Sequence, residues 1–304
     1  MKKVRQMKVH LVGGGAIGLL CSYYLARAGK NISLLTRTAE QAEAIKEKGI
    51  TVIHKEKEQS VSLHAMPLDE WGDQSSDCLI LAVKSHQITS VLEIIRNNRI
   101  NFDHILFLSN GMGHIPVIYE LQTDFKAAVG VVEHGAVRKS LTSVNHTGAG
   151  RIRWSPINFS KKELDPLWKN TSSIGFPVKA ETDWIDMLQT KLIINVCINP
   201  LTAILKVKNG VLLENSYYKD LVRPLFNEAM RILNRNDYDE MWSLLAQVCE
   251  KTASNQSSML TDLLKGIPTE IDSITGYLIK EARKNNVPHP YITFVHHAVK
   301  GLEV

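Results

Sequence analysis

Lys191, Asn195 and Asn199 recur at every fourth residue of Lys-Leu-Ile-Ile-Asn-Val-Cys-Ile-Asn-Pro, a segment that closes at Pro200. On a helix of 3.6 residues per turn, a step of four drifts by about 40°, so the three form one stripe. Everything between them is Leu, Ile, Val or Cys, which reads as core. Burying an amide without a partner costs about 1–3 kcal/mol, and an unpaired ammonium costs more. The stripe therefore calls for polar company, either the backbone of another domain or a bound ligand. A lysine so placed can deliver a proton and stabilise charge developing on an oxygen, while amides hold a substrate without adding charge. Pro200 frees the Val196 carbonyl and is expected to kink or end the helix, presenting Asn199 at its tip. Two later clusters offer matching polarity. Asn255-Gln-Ser-Ser258 gathers short donors ahead of Met259-Leu260 and reads equally as a helix cap. Glu270, in Pro268-Thr-Glu270, suits the first turn of a helix over 271–285, where a carboxylate meets the positive end of the dipole.

The second chemistry is phosphate binding. Gly13, Gly14, Gly15, Ala16, Ile17 and Gly18 form a GxGxxG turn between a predicted strand, 9–12, and a predicted helix, 16–28. The first glycine permits the tight turn, the second lets backbone amides approach a pyrophosphate, and the third lets helix and strand pack closely. The helix N-terminus adds donors and positive potential. At the end of the next strand an NAD enzyme normally places an acid for the ribose hydroxyls. This chain has Leu35-Thr36-Arg37-Thr38 instead, with no acid before Glu40. Arg37 can pair with a 2′-phosphate, with the Thr36 and Thr38 hydroxyls as further donors, so the expected cofactor is NADPH. Lys84, after the apolar run 78–83, falls where open α/β sheets bind ligands. Asn110-Gly-Met-Gly113 follows the run 105–108 and can bring backbone close to a ligand. His134 reads as a structural hydrogen-bonding residue or a candidate acid.

The elements that must position these groups alternate along the first half. Short apolar runs at 9–12, 32–35, 78–83 and 105–108 alternate with helical patterns, as in a doubly wound parallel sheet buried on both faces. Two further strands, 52–53 and 61–63, flank the charged tip Lys55-Glu-Lys-Glu58. Strands near 131–132, 152–154 and 176–178 are expected to complete the sheet, mainly antiparallel. From Thr182 the texture is helical, with period-3.6 patterning over 184–199, 201–209, 217–234, 239–252 and 271–285. The expected architecture is a Rossmann-type α/β domain over 1–180, followed by an all-helical domain over 181–304.

The chain has 304 residues, enough for two cores, and its net charge of +5 comes without a block of Lys or Arg. That balance suits small anionic ligands and gives no case for nucleic acid. The basic lead-in Met1–Lys8 lacks a following apolar stretch, and no apolar run of bilayer length stands out, so neither a signal peptide nor a membrane span is expected. The four cysteines lie far apart in apolar stretches without a CxxC pair, as structural thiols of a reducing cytoplasmic compartment do. No histidine spacing suggests a metal. Apolar residues exposed on an all-helical domain could be covered in a homodimer.

Taken together, GGGAIG at 13–18, Ala82-Val-Lys84, Ser109-Asn-Gly-Met-Gly113, the KxxxNxxxNPLT of 191–202, Asn255-Gln-Ser-Ser-Met-Leu260 and Pro268-Thr-Glu-Ile-Asp272 resemble, in order, the ketopantoate reductase (2-dehydropantoate 2-reductase) family. The resemblance implies NADPH-dependent reduction of ketopantoate to pantoate, a step toward pantothenate and coenzyme A. It implies Lys191 as the general acid and Glu270 as an acidic residue interacting with substrate and lysine. Asn195 and Asn199 match substrate-orienting amides, Asn255 and Ser258 the holders of the substrate's carboxylate or hydroxyl, and Lys84 and Asn110 positions on the nicotinamide side. Glu133 departs from the small hydroxyl residue expected at its position. Two other readings remain open: a reductase of another branched 2-keto acid, and a dinucleotide-binding sensor without turnover.

Overall fold

The computed structural model describes residues 6–72, 75–121 and 125–304, so the first five residues of the basic lead-in lie outside the described residues. Two compact units emerge: residues 1–109 with 116–187, and residues 110–115 with 188–304.

In the first unit the strands are β1 (Lys8–Val12), β2 (Asn31–Thr36), β3 (Ile50–His54), β4 (Lys57–Val61), β5 (His64–Pro67), β6 (Ser76–Leu81), β7 (Phe102–Phe107), β8 (Lys126–Val132), β9 (Gly135–Arg138), β10 (Ser143–Gly148), β11 (Ile152–Pro156) and β12 (Val178–Ala180). The accompanying helices are α1 (Ala16–Arg27), α2 (Ala39–Lys48), α3 (Ile88–Asn97), α4 (Ile115–Leu121) and the single turn α5 (Asp165–Trp168). Eight strands form one sheet in the order β12-β11-β8-β7-β6-β1-β2-β5. Its centre is parallel: Leu11 of β1 stands opposite Leu34 of β2 and Ile80 of β6. These strands are buried on both faces, and Leu11, Leu34, Ile80, Ile105 and Leu106 are wholly covered. The strand order reverses between β1 and β6, the switch point where open α/β sheets take ligands.

Two expectations about the later strands need correction. Of the strands completing the sheet, only β11 is antiparallel to its neighbour β8; β12 runs parallel to β11. The Gly-rich region near 148–150 belongs to a second sheet of four strands, ordered β4-β3-β10-β9. This sheet packs on the far side of α1, which contacts β3, β9 and β10 as well as β1 and β2. The apolar composition of α1 follows from that. Leu19, Leu20, Tyr23, Tyr24 and Leu25 are all buried, and a helix covered on both sides is apolar all round.

In the second unit the helices are the greater part of α6 (Trp184–Leu205), then α7 (Val211–Glu214), α8 (Ser216–Ile232), α9 (Tyr238–Lys251), α10 (Ser258–Leu264), α11 (Ile271–Lys284) and α12 (Pro290–Leu302). Pro200 neither ends α6 nor separates it from a second helix over 201–209, because α6 runs on to Leu205. An interior proline costs about 3 kcal/mol. Burial on both sides of it offsets that cost: Val196, Cys197, Ile198, Leu201 and Ala203 are all inside. The Thr202 hydroxyl also donates to the Ile198 carbonyl at 2.8 Å. At 22 residues and a mean hydropathy of 1.4, α6 is long and apolar enough to cross a membrane, contrary to the expectation from sequence. Since 61% of its apolar window is buried within the protein, it is a core helix.

The periodicity reading did not include α10 and α12. Both start on local chemistry: the Ser257 hydroxyl accepts from the Leu260 N–H, and Pro290 occupies the first turn of α12. The exposed N–H groups of α12 find a distant partner. Glu228 of α8, 1% exposed, accepts from Tyr291 N at 3.1 Å and Ile292 N at 2.9 Å.

Candidate active site

The phosphate-type turn of the first unit is built from backbone. Gly13 has φ +117°, a conformation that side chains rarely adopt, and its N–H donates to the Leu35 carbonyl at 2.9 Å. A Cβ on Gly18 would lie 1.7 Å from the Gly13 carbonyl oxygen, so only glycine lets α1 begin this close to β1. A Cβ on Gly15 would meet nothing within 4 Å. The bare side of the turn is therefore at the second motif glycine, where a pyrophosphate needs the backbone uncovered. Gly15 caps α1 with no side-chain hydrogen bond, and no acid occupies the first turn. The first N–H groups of α1, at Ala16 and Ile17, thus suit an anion, and the turn fits a dinucleotide's phosphates.

At the end of β2 Arg37 is exposed. The two threonines beside it do different work. Thr38 caps α2 by accepting from Gln41 N, and its proton remains available to a phosphate. Thr36 corrects the expectation. It is 1% exposed and turns inward, donating to the Thr38 carbonyl at 2.9 Å, so its hydroxyl is withdrawn from any ligand. Lys84 sits past the end of β6, where its carbonyl starts a 3-10 turn by accepting from Gln87 N. The Ser109 hydroxyl ties the end of β7 to this region by donating to the Val83 carbonyl at 2.6 Å.

Two residues near the end of β8 resolve plainly. Glu133 faces arginines, with Arg151 at 3.5 Å and Arg153 at 3.7 Å. His134 is buried and stacks on Phe176 with ring centroids 4.4 Å apart. Its Nδ1 accepts from the Gly150 N–H, so that nitrogen is unprotonated. The neighbouring His146 Nε2, 3.0 Å away, is then the donor, and His146 Nδ1 faces the Tyr24 hydroxyl at 3.1 Å. Burial, then the nearby His146, pushes the His134 pKa down to about 4. A neutral imidazole held this way is a structural group rather than an acid.

The second unit offers side chains. Lys191 and Asn195 are partly buried on α6 and Asn199 is buried. The side-chain amides of Asn195 and Asn199 make no hydrogen bond to the protein among the described residues. Asn110 and Glu270, 160 positions apart, are joined: Asn110 Nδ2 donates to Glu270 Oε2 at 2.8 Å. Gly111 makes this possible. With φ +73°, it lets Met112 N donate to the Ser273 carbonyl in the first turn of α11, and a Cβ there would lie 2.3 Å from that oxygen. The close approach expected of this glycine segment is thus to helix backbone.

Glu270 is the N-cap residue of α11, yet its carboxylate makes no capping bond. Thr269 does that work, its hydroxyl accepting from Ile271 N, so the Glu270 carboxylate is left to Asn110. Thr269 is held in turn by Glu303, whose Oε1 accepts from Thr269 N at 2.8 Å and from its hydroxyl at 2.6 Å. Burial alone would raise the pKa of Glu303, but hydrogen bonds from Lys300 and Thr269 outweigh it and hold the carboxyl below its ordinary value. No sequence signal marks this brace, since the partners come together only through the packing of α11 and α12.

In the 255–258 segment the capping reading applies to Ser257, which also lies 2.7 Å from the Thr202 hydroxyl of α6. Asn255 is partly buried and Ser258 exposed, and neither side chain is hydrogen-bonded to the other candidate residues. All four cysteines are buried and free. Among the described residues, no group of three or more His, Cys, Asp or Glu is placed to hold a metal ion.

The parallel sheet with its glycine turn at the switch point defines a Rossmann-type dinucleotide-binding fold joined to a helical domain. Comparison with known proteins narrows this. Residues 9–158 match the family described as "Ketopantoate reductase PanE/ApbA", and residues 183–303 match its C-terminal counterpart. A Bacillus subtilis protein named 2-dehydropantoate 2-reductase is 42% identical over 298 residues, covering 98% of each chain. A crystal structure from the same organism, described as a "Probable 2-dehydropantoate 2-reductase", superposes with a TM-score of 0.88 at 41% identity, over 97% of this chain and 100% of that one. A D-mandelate dehydrogenase in complex with NADH is similar at a TM-score of 0.85 and 25% identity, over 98% of this chain and 99% of that one. The chain belongs to the ketopantoate reductase family.

Proposed function

We propose that the protein reduces ketopantoate to pantoate with NADPH, in the supply of pantothenate and coenzyme A. The observation that carries the reading is the polar stripe Lys191, Asn195, Asn199 on a core helix, its two amides lacking hydrogen-bond partners among the described residues. The name of the Bacillus subtilis relative, at 42% identity over nearly the whole length, supports the same substrate.

NADPH, when bound, supplies the hydride. The turn Gly13–Gly18 and the start of α1 would hold its pyrophosphate, and Arg37 would pair with its 2′-phosphate. Lys84 and Asn110 would serve the nicotinamide side. Lys191 Nζ donates a proton to the substrate's carbonyl oxygen as negative charge develops there, acting as both general acid and electrostatic stabiliser. Asn195 and Asn199 orient the keto acid, and Asn255 and Ser258 hold its carboxylate or hydroxyl. Glu270, oriented by Asn110, keeps substrate and lysine in register. Such a reaction needs neither a metal nor a covalent intermediate from the protein.

A second reading, reduction of a different 2-keto acid, is favoured by the likeness to D-mandelate dehydrogenase, a protein named for a different 2-hydroxy acid. Monitoring NADPH oxidation against ketopantoate and a panel of branched and aromatic 2-keto acids separates the readings. Ketopantoate is expected to give the highest kcat/KM. A higher value for another acid would overturn the substrate assignment, and no oxidation with any would leave a dinucleotide-binding sensor.

A further inference from the structure

The expectations about cofactor binding did not use the small four-stranded sheet, yet one of its strand ends reaches the phosphate turn. Gln41, in the first turn of α2 and 5% exposed, donates from Nε2 to the Gly14 carbonyl at 2.9 Å and to the Leu141 carbonyl at 2.8 Å. It thereby ties the β9–β10 connection to the turn. Arg138, the last residue of β9, donates from Nη1 to the same Gly14 carbonyl at 3.3 Å. Both lone pairs of that carbonyl are then engaged. In a planar trans peptide the N–H of the next residue points the opposite way, so fixing the Gly14 carbonyl also fixes the Gly15 N–H. The packing here is close, since a Cβ on Gly14 would lie 2.2 Å from the Gln41 amide oxygen.

Gln41 already binds the carbonyl through a neutral amide, so that contact does not require the charge of Arg138. Its neighbours differ from it. Arg151 and Arg153, on and beside β11, are matched by Glu133 and Glu181, whereas Arg138 forms no ion pair among the described residues. One of its donors goes to Gly14 and the rest remain for an anion. The exposed guanidinium stands beside a turn that itself presents N–H groups and no acid.

We propose that Arg138 is a phosphate-binding residue of the cofactor site, supplied by the small sheet and acting together with the glycine turn. The inference rests on the reading of that turn as a dinucleotide site. The phosphate is either the pyrophosphate, common to NADPH and NADH, or the 2′-phosphate that only NADPH carries.

The test is equilibrium binding of NADPH and of NADH to the purified protein by calorimetry, at low and high salt, for wild type, Arg138→Gln and Arg138→Ala. Unchanged thermal melting serves as the check on folding. Glutamine keeps a polar amide but carries no charge, so the phosphate contact is removed while Gln41 still braces the Gly14 carbonyl. Both variants are expected to bind NADPH about tenfold more weakly, the scale of one lost charge-assisted hydrogen bond, with a shallower dependence on salt. An equal loss for NADH assigns the pyrophosphate, and a loss for NADPH alone assigns the 2′-phosphate. Wild-type affinity and salt dependence in Arg138→Gln would overturn the proposal. Wild-type protein that binds neither dinucleotide would instead overturn the reading beneath it.

Discussion

Around the phosphate turn the protein leaves backbone uncovered, and Gln41 and Thr36 face inward to hold that backbone. On α6 and at the start of α11 the arrangement is reversed: the backbone is satisfied within helices, and in the proposed reaction the side chains would carry the chemistry. Gly13, Gly15 and Gly18 act by lacking a Cβ, and Gln41 and Thr36 act by engaging main-chain carbonyls. In the proposed reaction Lys191, Asn195, Asn199 and Glu270 would act through the groups at their tips. A backbone site tolerates no added atoms and needs few particular side chains. A side-chain site tolerates packing changes but depends on each functional group.

The sharpest way to break this contrast is at the glycines. Gly18→Ala places a methyl 1.7 Å from the Gly13 carbonyl oxygen, so the turn must open. Overpacking of this kind costs about 1–3 kcal/mol, and NADPH binding measured by calorimetry should weaken by up to about 150-fold. Gly15→Ala meets no protein atom, so its melting temperature should stay at the wild-type value while NADPH binding still falls. Normal binding by Gly15→Ala would mean that the ligand does not approach the turn there.

Arg37→Ala should lower kcat/KM with NADPH about tenfold and leave that with NADH unchanged, as loss of one charge-assisted phosphate contact does. An unchanged cofactor preference would remove Arg37 from the site. In the second unit, Glu270→Gln keeps an acceptor for Asn110 but removes the charge. A hydrogen bond to a charged group exceeds a neutral one by about 1 kcal/mol, so kcat/KM for the keto acid should fall roughly fivefold with NADPH affinity unaltered.

The smallest expected effect concerns stability. Burial pushes the pKa values of His10, His114 and His134 down to about 4 from the ordinary 6.5. Between those values the unfolded chain binds protons that the folded protein refuses, so stability rises with pH across the window and is lost as pH falls through it. Below about 4 both states are protonated and no further loss arises from these groups. Melting temperature should therefore drop between pH 6.5 and 4, and His134→Gln should flatten that slope. An unchanged slope would mean that His134 is not held neutral.

The same contrast explains what could be read from the sequence. The glycine turn was legible because its spacing encodes backbone geometry locally, and the buried parallel strands were legible as continuous apolar runs. The stripe on α6 was legible from its four-residue period. The pairing of Asn110 with Glu270 was not, nor was the brace from Glu303 to Thr269, because each depends on segments that meet only after packing. Pro200 misled because a local helix breaker was outweighed by burial along the rest of α6. Half of the small sheet was legible as the strand pair around Lys55–Glu58, whereas β9, Gly-Ala-Val-Arg, is only four residues long and half-buried up to Arg138, too short for a period-two signal.

The central claim is that Lys191 acts in the chemical step and that cofactor binding resides elsewhere. It is tested most directly by single-turnover oxidation of bound NADPH by ketopantoate in wild type and Lys191→Ala, with NADPH affinity measured on the same preparations. The account predicts a transfer rate about 100-fold or more lower in the variant, the scale of general acid catalysis, with NADPH affinity unchanged. A wild-type transfer rate at saturating ketopantoate, with only the substrate's apparent affinity reduced, would contradict it.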